Sequence, residues 1–209
     1  MLPIKKSGKG TRVIIVGSGP SVKNFKVPRG VPTIAINGAV DWIERASFFF
    51  TLDPSEENKR RMANRRRGTQ YVCALPDGAP DIPGVHRLTR VGDQTTRGPE
   101  PENHGSPEWW LWRWSAMPGL SEEPGKIHSG NSAYGALGLA YSLGYTDVAL
   151  VGVDGTQEAR YPAGGEPKNL SHIGLLFASA LPQIRVVSCG QLSSIPQMSL
   201  KDWLASTQE

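Results

Sequence analysis

An α/β fold is what the sequence predicts: a Rossmann-like, mainly parallel sheet with helices on both faces and an irregular tryptophan-rich insertion. Three observations point to it. Short runs are apolar on both faces, as central parallel strands are. Each run stops in glycine, asparagine or aspartate loop chemistry. Helix-forming stretches alternate with several of them, and that alternation belongs to βαβ units.

Arg12–Val16 (RVIIV) is the first strand, stopped by Gly17-Ser18-Gly19-Pro20-Ser21. Strands follow at Thr33–Ile36 before Asn37-Gly38, at Ala46–Leu52 before Asp53-Pro54, and at Tyr71–Leu75 before Pro76-Asp77. Ser55–Arg67 lies between the last two and suits a helix, because Glu56 and Glu57 at its start and arginines at its end both complement the macrodipole. Periodicity lapses from Asp77 to Lys126, a proline- and glycine-rich stretch holding Trp109, Trp110, Trp112 and Trp114. A stretch of that length is more than connector in a compact domain, so it reads as a functional lid or insertion. Regular elements resume with a helix at Asn131–Gly144, a strand at Thr146–Val153, a helix at Leu170–Leu181, a strand at Gln183–Ser188 and a closing helix at Ser199–Ala205. Residues 1–209 read as a single Rossmann-like domain, with the insertion at about 77–126.

Composition narrows the class. The chain has 209 residues, 38% of them hydrophobic, and no apolar run long enough to span a bilayer. Met1–Thr11 carries lysines and runs straight into a strand, without the apolar region of a secretory signal, so a cytoplasmic protein is expected. Cys73 and Cys189 form no CxxC pair and read as core thiols rather than as a disulfide or zinc site. Net charge is only +4, which favours anionic ligands without choosing among them.

Parallel sheets bind ligands at the C-terminal ends of their strands, and four sets of candidates fall there. Gly17, Ser18, Gly19, Pro20 and Ser21 form a turn that lets a phosphate or ribose approach the backbone. It is not the dinucleotide fingerprint, since Val22 takes the place of the third glycine and Asn37 that of the ribose-binding acid. Nor does it carry the lysine of a P-loop. Asn37, Asp53 and Asp154 each follow a strand; singly they suit loop capping, and together with the glycine turn they suit a ligand site. Ser129, Gly130, Asn131 and Ser132 open a helix whose first N–H groups could hold an anion or simply be capped. His172 begins another helix and could serve as a general base or as a structural histidine.

GSGPS at Gly17–Ser21, a second strand ending in Asn37, the block from His128 to Asp154, and Ser171-His172-Ile173-Gly174 with the later strand IRVVSCG form a pattern. It resembles the bacterial lipooligosaccharide sialyltransferases and the related motility-accessory-factor and 6-hydroxymethylpterin-diphosphokinase-like proteins, some of them phage-encoded. The match spans roughly residues 12–53 and 127–195. It implies that Gly17, Gly19, Pro20, Ser21, Asn37 and Ser129 hold a nucleotide sugar and that His172 is the catalytic base. Ser18 and Asp53 stand where those enzymes have asparagine. Thr156 replaces one of two tyrosines on the leaving phosphate, and Tyr161 lies near the other. Related transfer chemistry with a changed donor or acceptor is the implication.

The expected activity is therefore a nucleotide-sugar-dependent glycosyltransferase, with His172 taking a proton from an acceptor hydroxyl. The acceptor is a glycan or, in a phage setting, a hydroxymethylated base in DNA. Mg²⁺ is not required, although Asp53 or Asp154 could hold it beside a diphosphate. Six basic residues, Lys59, Arg60, Arg61, Arg65, Arg66 and Arg67, crowd one stretch. They read as a solvated helix end or, with the tryptophans, as a groove for single-stranded nucleic acid. The tryptophans equally suit a lid core, a sugar-stacking wall or a contact in a homo-oligomer. The rival activities are diphosphate transfer to a small heterocycle and a nucleic-acid-binding module with a degenerate pocket.

Overall fold

The computed structural model describes residues 10–92, 98–162, 164–165 and 169–206. The lysine-rich start, the 93–97 part of the insertion and much of the glycine-rich segment before His172 lie outside the described residues. Eight strands, all parallel, form one sheet: β1 (Arg12–Val16), β2 (Thr33–Ile36), β3 (Phe48–Thr51), β4 (Gln70–Leu75), β5 (His86–Val91), β6 (Lys126–His128), β7 (Asp147–Val151) and β8 (Arg185–Ser188). Their spatial order is β6-β5-β4-β3-β2-β1-β7-β8. The chain thus winds outward from β1 to β6, then crosses back to lay β7 on the other side of β1. In register, Val16 pairs with Ala35 of β2 and with Val151 of β7.

Alternation along the strands feeds two cores. Val13, Ile15, Phe48, Phe50 and Val148 face α4 (Ser132–Ser142) and α5 (Ile173–Ala180). Ile14, Val16, Phe49, Tyr71 and Ala149 face α1 (Ala39–Trp42), α2 (Glu56–Ala63) and α6 (Leu200–Ala205). Both faces are covered, which is why the strands read as continuous apolar runs. At the N-terminal end of the sheet, buried Asp147 accepts from Trp203 Nε1 at 2.9 Å and pairs with Arg12 and Arg185 at 3.1 and 2.8 Å. That knot fastens α6 to β1, β7 and β8 at the end opposite the C-terminal loops.

The tryptophan-rich insertion expected from Asp77 to Lys126 is present in part, and the stretch is more regular than its sequence suggests. It contributes β5 and α3 (Pro107–Arg113), and it leads into β6, so it extends the sheet edge as well as decorating it. β5 (HRLTRV) buries only Leu88, and the strand therefore lacks the apolar run that marks the others. None of α3's residues is buried, its four-residue WWLW run included. The short helix α1 was not expected either.

The basic stretch also differs from a free cationic face. Arg61 pairs with Asp41 and Glu57. Arg65 donates to the carbonyls of Met62 and Pro83, and Arg66 to those of Val40, Ile43 and Glu44. Three of the six cations are therefore internal fastenings.

A candidate ligand crevice between the first and seventh strands

Two neighbouring parallel strands whose connections leave in opposite directions open a crevice beyond their C-terminal ends. Here those strands are β1 and β7, and the crevice has a volume of about 560 Å³. Gly17, Ser18, Gly19 and Pro20 form one wall and Gly152 to Thr156 the next; Asn37, Trp42, Asp53, Asn58, Arg61, Asn131, Ser132, Arg160 and Tyr161 line the rest together with others, the carboxylates of Asp41, Glu57 and Glu158 among them.

The glycines are forced by contact. Gly17 N–H donates to Val151 O and Gly19 N–H to Gly152 O, both at 2.8 Å, which draws the two loops together. A Cβ on Gly17 would run into the Gly152 carbonyl, and one on Gly19 into the Asp154 carboxylate. Gly152 itself has φ +68, a left-handed conformation that suits glycine. Between the two anchored glycines, Ser18 N–H has no partner among the described residues and stands at the crevice wall.

Asp154 and Ser21 hold this turn in place. Asp154 is buried, and its two carboxylate oxygens accept the backbone N–H groups of Ser21 at 2.9 Å and Gln191 at 3.0 Å. Ser21 Oγ accepts Gly152 N–H at 2.9 Å. Both residues expected to touch ligand thus brace the loops. Each Asp154 oxygen accepts one of these N–H groups, and the residue also lines the crevice. Asp53 is a single exposed carboxylate, and no group of three metal-ligating side chains occurs among the described residues.

On the opposite wall, Asn37 follows β2 at φ +50, a conformation asparagine tolerates. Buried Asn58 of α2 reaches it, donating from Nδ2 to Asn37 Oδ1 at 3.2 Å. Asn58 Oδ1 accepts from Arg61 at 2.9 Å. Burial works against the charge of Arg61, but Asp41 and Glu57 outweigh it and hold its pKa above the ordinary value. Arg160 also lines the crevice and has no ion-pair partner among the described residues. Tyr161 N–H donates to Ser18 O at 2.8 Å, and its ring meets Trp42 edge-on at 5.5 Å.

Three expected site residues lie elsewhere. Ser129 is stitched into the backbone, donating to Val91 O at 2.6 Å and accepting from Met117 N at 2.9 Å. Gly130 is a packing glycine, since a Cβ there would reach Leu176 at 2.7 Å. Asn131, rather than Ser129 or Ser132, caps α4 by accepting from Tyr134 N at 2.9 Å, while Ser132 Oγ accepts from Leu52 N at 3.1 Å. His172 does not line the crevice: it is 2% exposed, and neither ring nitrogen has a partner among the described residues. Burial pushes its pKa down to about 4.

Sequence reasoning missed Trp42, Asn58, Arg61 and Arg160. Asn58 and Arg61 sit at i and i+3 on one helix, so their alignment was readable in principle, but nothing local shows which helix face meets the crevice. Comparison of the chain with protein-family models, with curated proteins and with solved structures returned no match.

Proposed function

We propose that the protein is a glycosyltransferase-like enzyme that binds a nucleotide sugar in the β1–β7 crevice and transfers the sugar to an acceptor hydroxyl. The observation that carries this reading is the paired-glycine turn at the switch point, where Ser18 N–H has no partner and Arg160 no ion-pair partner among the described residues, and both line the crevice. Those groups suit a phosphate. Trp42 and Tyr161 offer an aromatic edge for the nucleoside or sugar.

His172 is buried and is not among the lining residues, although Leu170 and Ile173 beside it are, so the base is assigned to Asp53, whose carboxylate is exposed and lines the crevice. In the step, Asp53 takes the acceptor hydroxyl proton as that oxygen bonds to the anomeric carbon. The bond from that carbon to the donor phosphate breaks, and its electron pair leaves on the nucleotide. Arg160 and the turn N–H groups offset the released charge. Glycan hydroxyls and hydroxymethylated bases both supply the hydroxyl this step needs.

Thermal-shift titration with nucleotides and nucleotide sugars, followed by mass spectrometry of acceptor mixtures, tests the reading. A stabilising shift with at least one nucleotide and a sugar-sized mass gain on an acceptor are expected. Asp53→Asn should cut turnover at least a hundredfold while leaving donor affinity within about threefold, in the range that general-base removal produces. Absence of any nucleotide shift sinks the proposal, and full turnover in Asp53→Asn together with loss in His172→Gln returns the base to His172.

A further inference from the structure

Asn58 is 2% exposed and its amide is fully engaged. The two hydrogens of Nδ2 are shared among three acceptors, Asp53 O at 2.9 Å and Asn37 Oδ1 and Thr51 Oγ1 at 3.2 Å each, while Oδ1 accepts from Arg61 Nη1 at 2.9 Å. Two of these partners fix which way the amide points. A guanidinium only donates, so it takes Oδ1; a backbone carbonyl only accepts, so it takes Nδ2. Asn58 therefore presents N–H to Asn37, and Asn37 must answer with its oxygen. The NH₂ of Asn37 is left with no partner among the described residues, on a side chain that lines the crevice. Its backbone N–H is tied to Phe50 O at 3.2 Å, so the side chain starts from a fixed point.

We propose that Asn58 is a positioning residue that holds Asn37 as a hydrogen-bond donor into the crevice, so that the site selects ligands presenting an acceptor oxygen at that point. The inference rests on the nucleotide-binding reading and specifies one feature of the ligand. Phosphate and the carbonyl or ribose oxygens of a nucleoside share that chemistry.

Calorimetric titration of the full chain with the four common ribonucleosides, their 5′-monophosphates and their 5′-diphosphates tests it. Asn37→Asp keeps the shape and replaces the NH₂ by an acceptor. Asn58→Asp keeps the bond to Arg61 but removes the N–H toward Asn37, whose amide then turns its NH₂ to the new carboxylate and shows oxygen to the crevice. Each should weaken the best wild-type ligand at least tenfold. Asn58→Ala frees Asn37 to turn either way and should weaken it less than Asn58→Asp, although it removes more bonds; a merely structural role predicts the reverse order. Loss confined to the phosphorylated probes assigns the oxygen to phosphate, and loss that includes nucleosides assigns it to base or ribose. Unchanged affinity in Asn37→Asp overturns the inference even if Asn58 variants fail to fold, and so does greater loss in a folded Asn58→Ala than in Asn58→Asp. A wild-type protein that binds none of the probes overturns the nucleotide reading, and this inference with it.

Discussion

Asp154 accepts backbone N–H bonds from Ser21 and Gln191, which are 133 and 37 residues away, and so closes the loops after β1, β7 and β8 around one carboxylate. Its place after a strand was legible in the sequence, because a buried apolar run ending in Asp-Gly marks a strand exit. Its bracing role was not, since both donors come from other loops. Asp154→Ala should leave two part-buried N–H groups without an acceptor and cost about 3–6 kcal/mol, given that bonds to a charged group are each worth about 1.5–3 kcal/mol. Urea unfolding measures that loss. The turn at Gly17–Ser21 should lose its shape along with the stability, so nucleotide shifts should vanish in the same variant. A folded Asp154→Ala protein with wild-type binding would show that the turn stands without its brace.

At the scale of elements, legibility followed burial on both faces. β1, β2, β3 and β7 are apolar throughout because helices cover them from both sides, and their cores appeared in the sequence within a residue or two. β5 (HRLTRV) mixes charged, polar and apolar residues and β6 is three residues long, so these strands carried no comparable signal. The basic stretch shows the same limit. Charge composition cannot distinguish an arginine in solvent from one that caps a neighbouring helix. Arg66 donates to the last carbonyls of α1 at Val40 and Ile43, at 2.7 and 2.8 Å, and this fastens a four-residue helix that could not stand alone. Arg66→Ala should therefore cost about 1–3 kcal/mol through orphaned carbonyls. Joint replacement of Lys59, Arg60 and Arg67 by alanine should change stability by less than about 1 kcal/mol, as exposed sites do. Urea midpoints separate the two cases, and equal effects would mean that Arg66 is no cap.

For the whole molecule, the winding outward from β1 and back to β7 decides where the site lies. Strand–helix alternation made a parallel sheet and its active edge legible, but not the strand order. Asn37, Asp53 and the glycine turn accordingly share the crevice, while Ser129, directly after β6, stands at the same sheet edge without lining it. His172 is buried and does not line that crevice, and its consequence is thermodynamic. The ring is buried without a hydrogen-bond partner among the described residues, and desolvation lowers its pKa from 6.5 to about 4. Above pH 6.5 the ring is neutral in both folded and unfolded chains, and this group's contribution to stability is complete. As pH falls from 6.5 toward 4, the unfolded chain binds a proton that the folded one refuses, so stability is lost at up to about 1.4 kcal/mol per pH unit. The full loss from this one group is about 3 kcal/mol, a large share of what a domain ordinarily has. His172→Leu should remove that slope while retaining the fold, so its urea midpoint should gain on the wild type steadily from pH 6.5 to 4.5. Parallel midpoints across that range would mean that His172 titrates alike in both states and is reached by solvent or a carboxylate. That result would reopen its candidacy as the base.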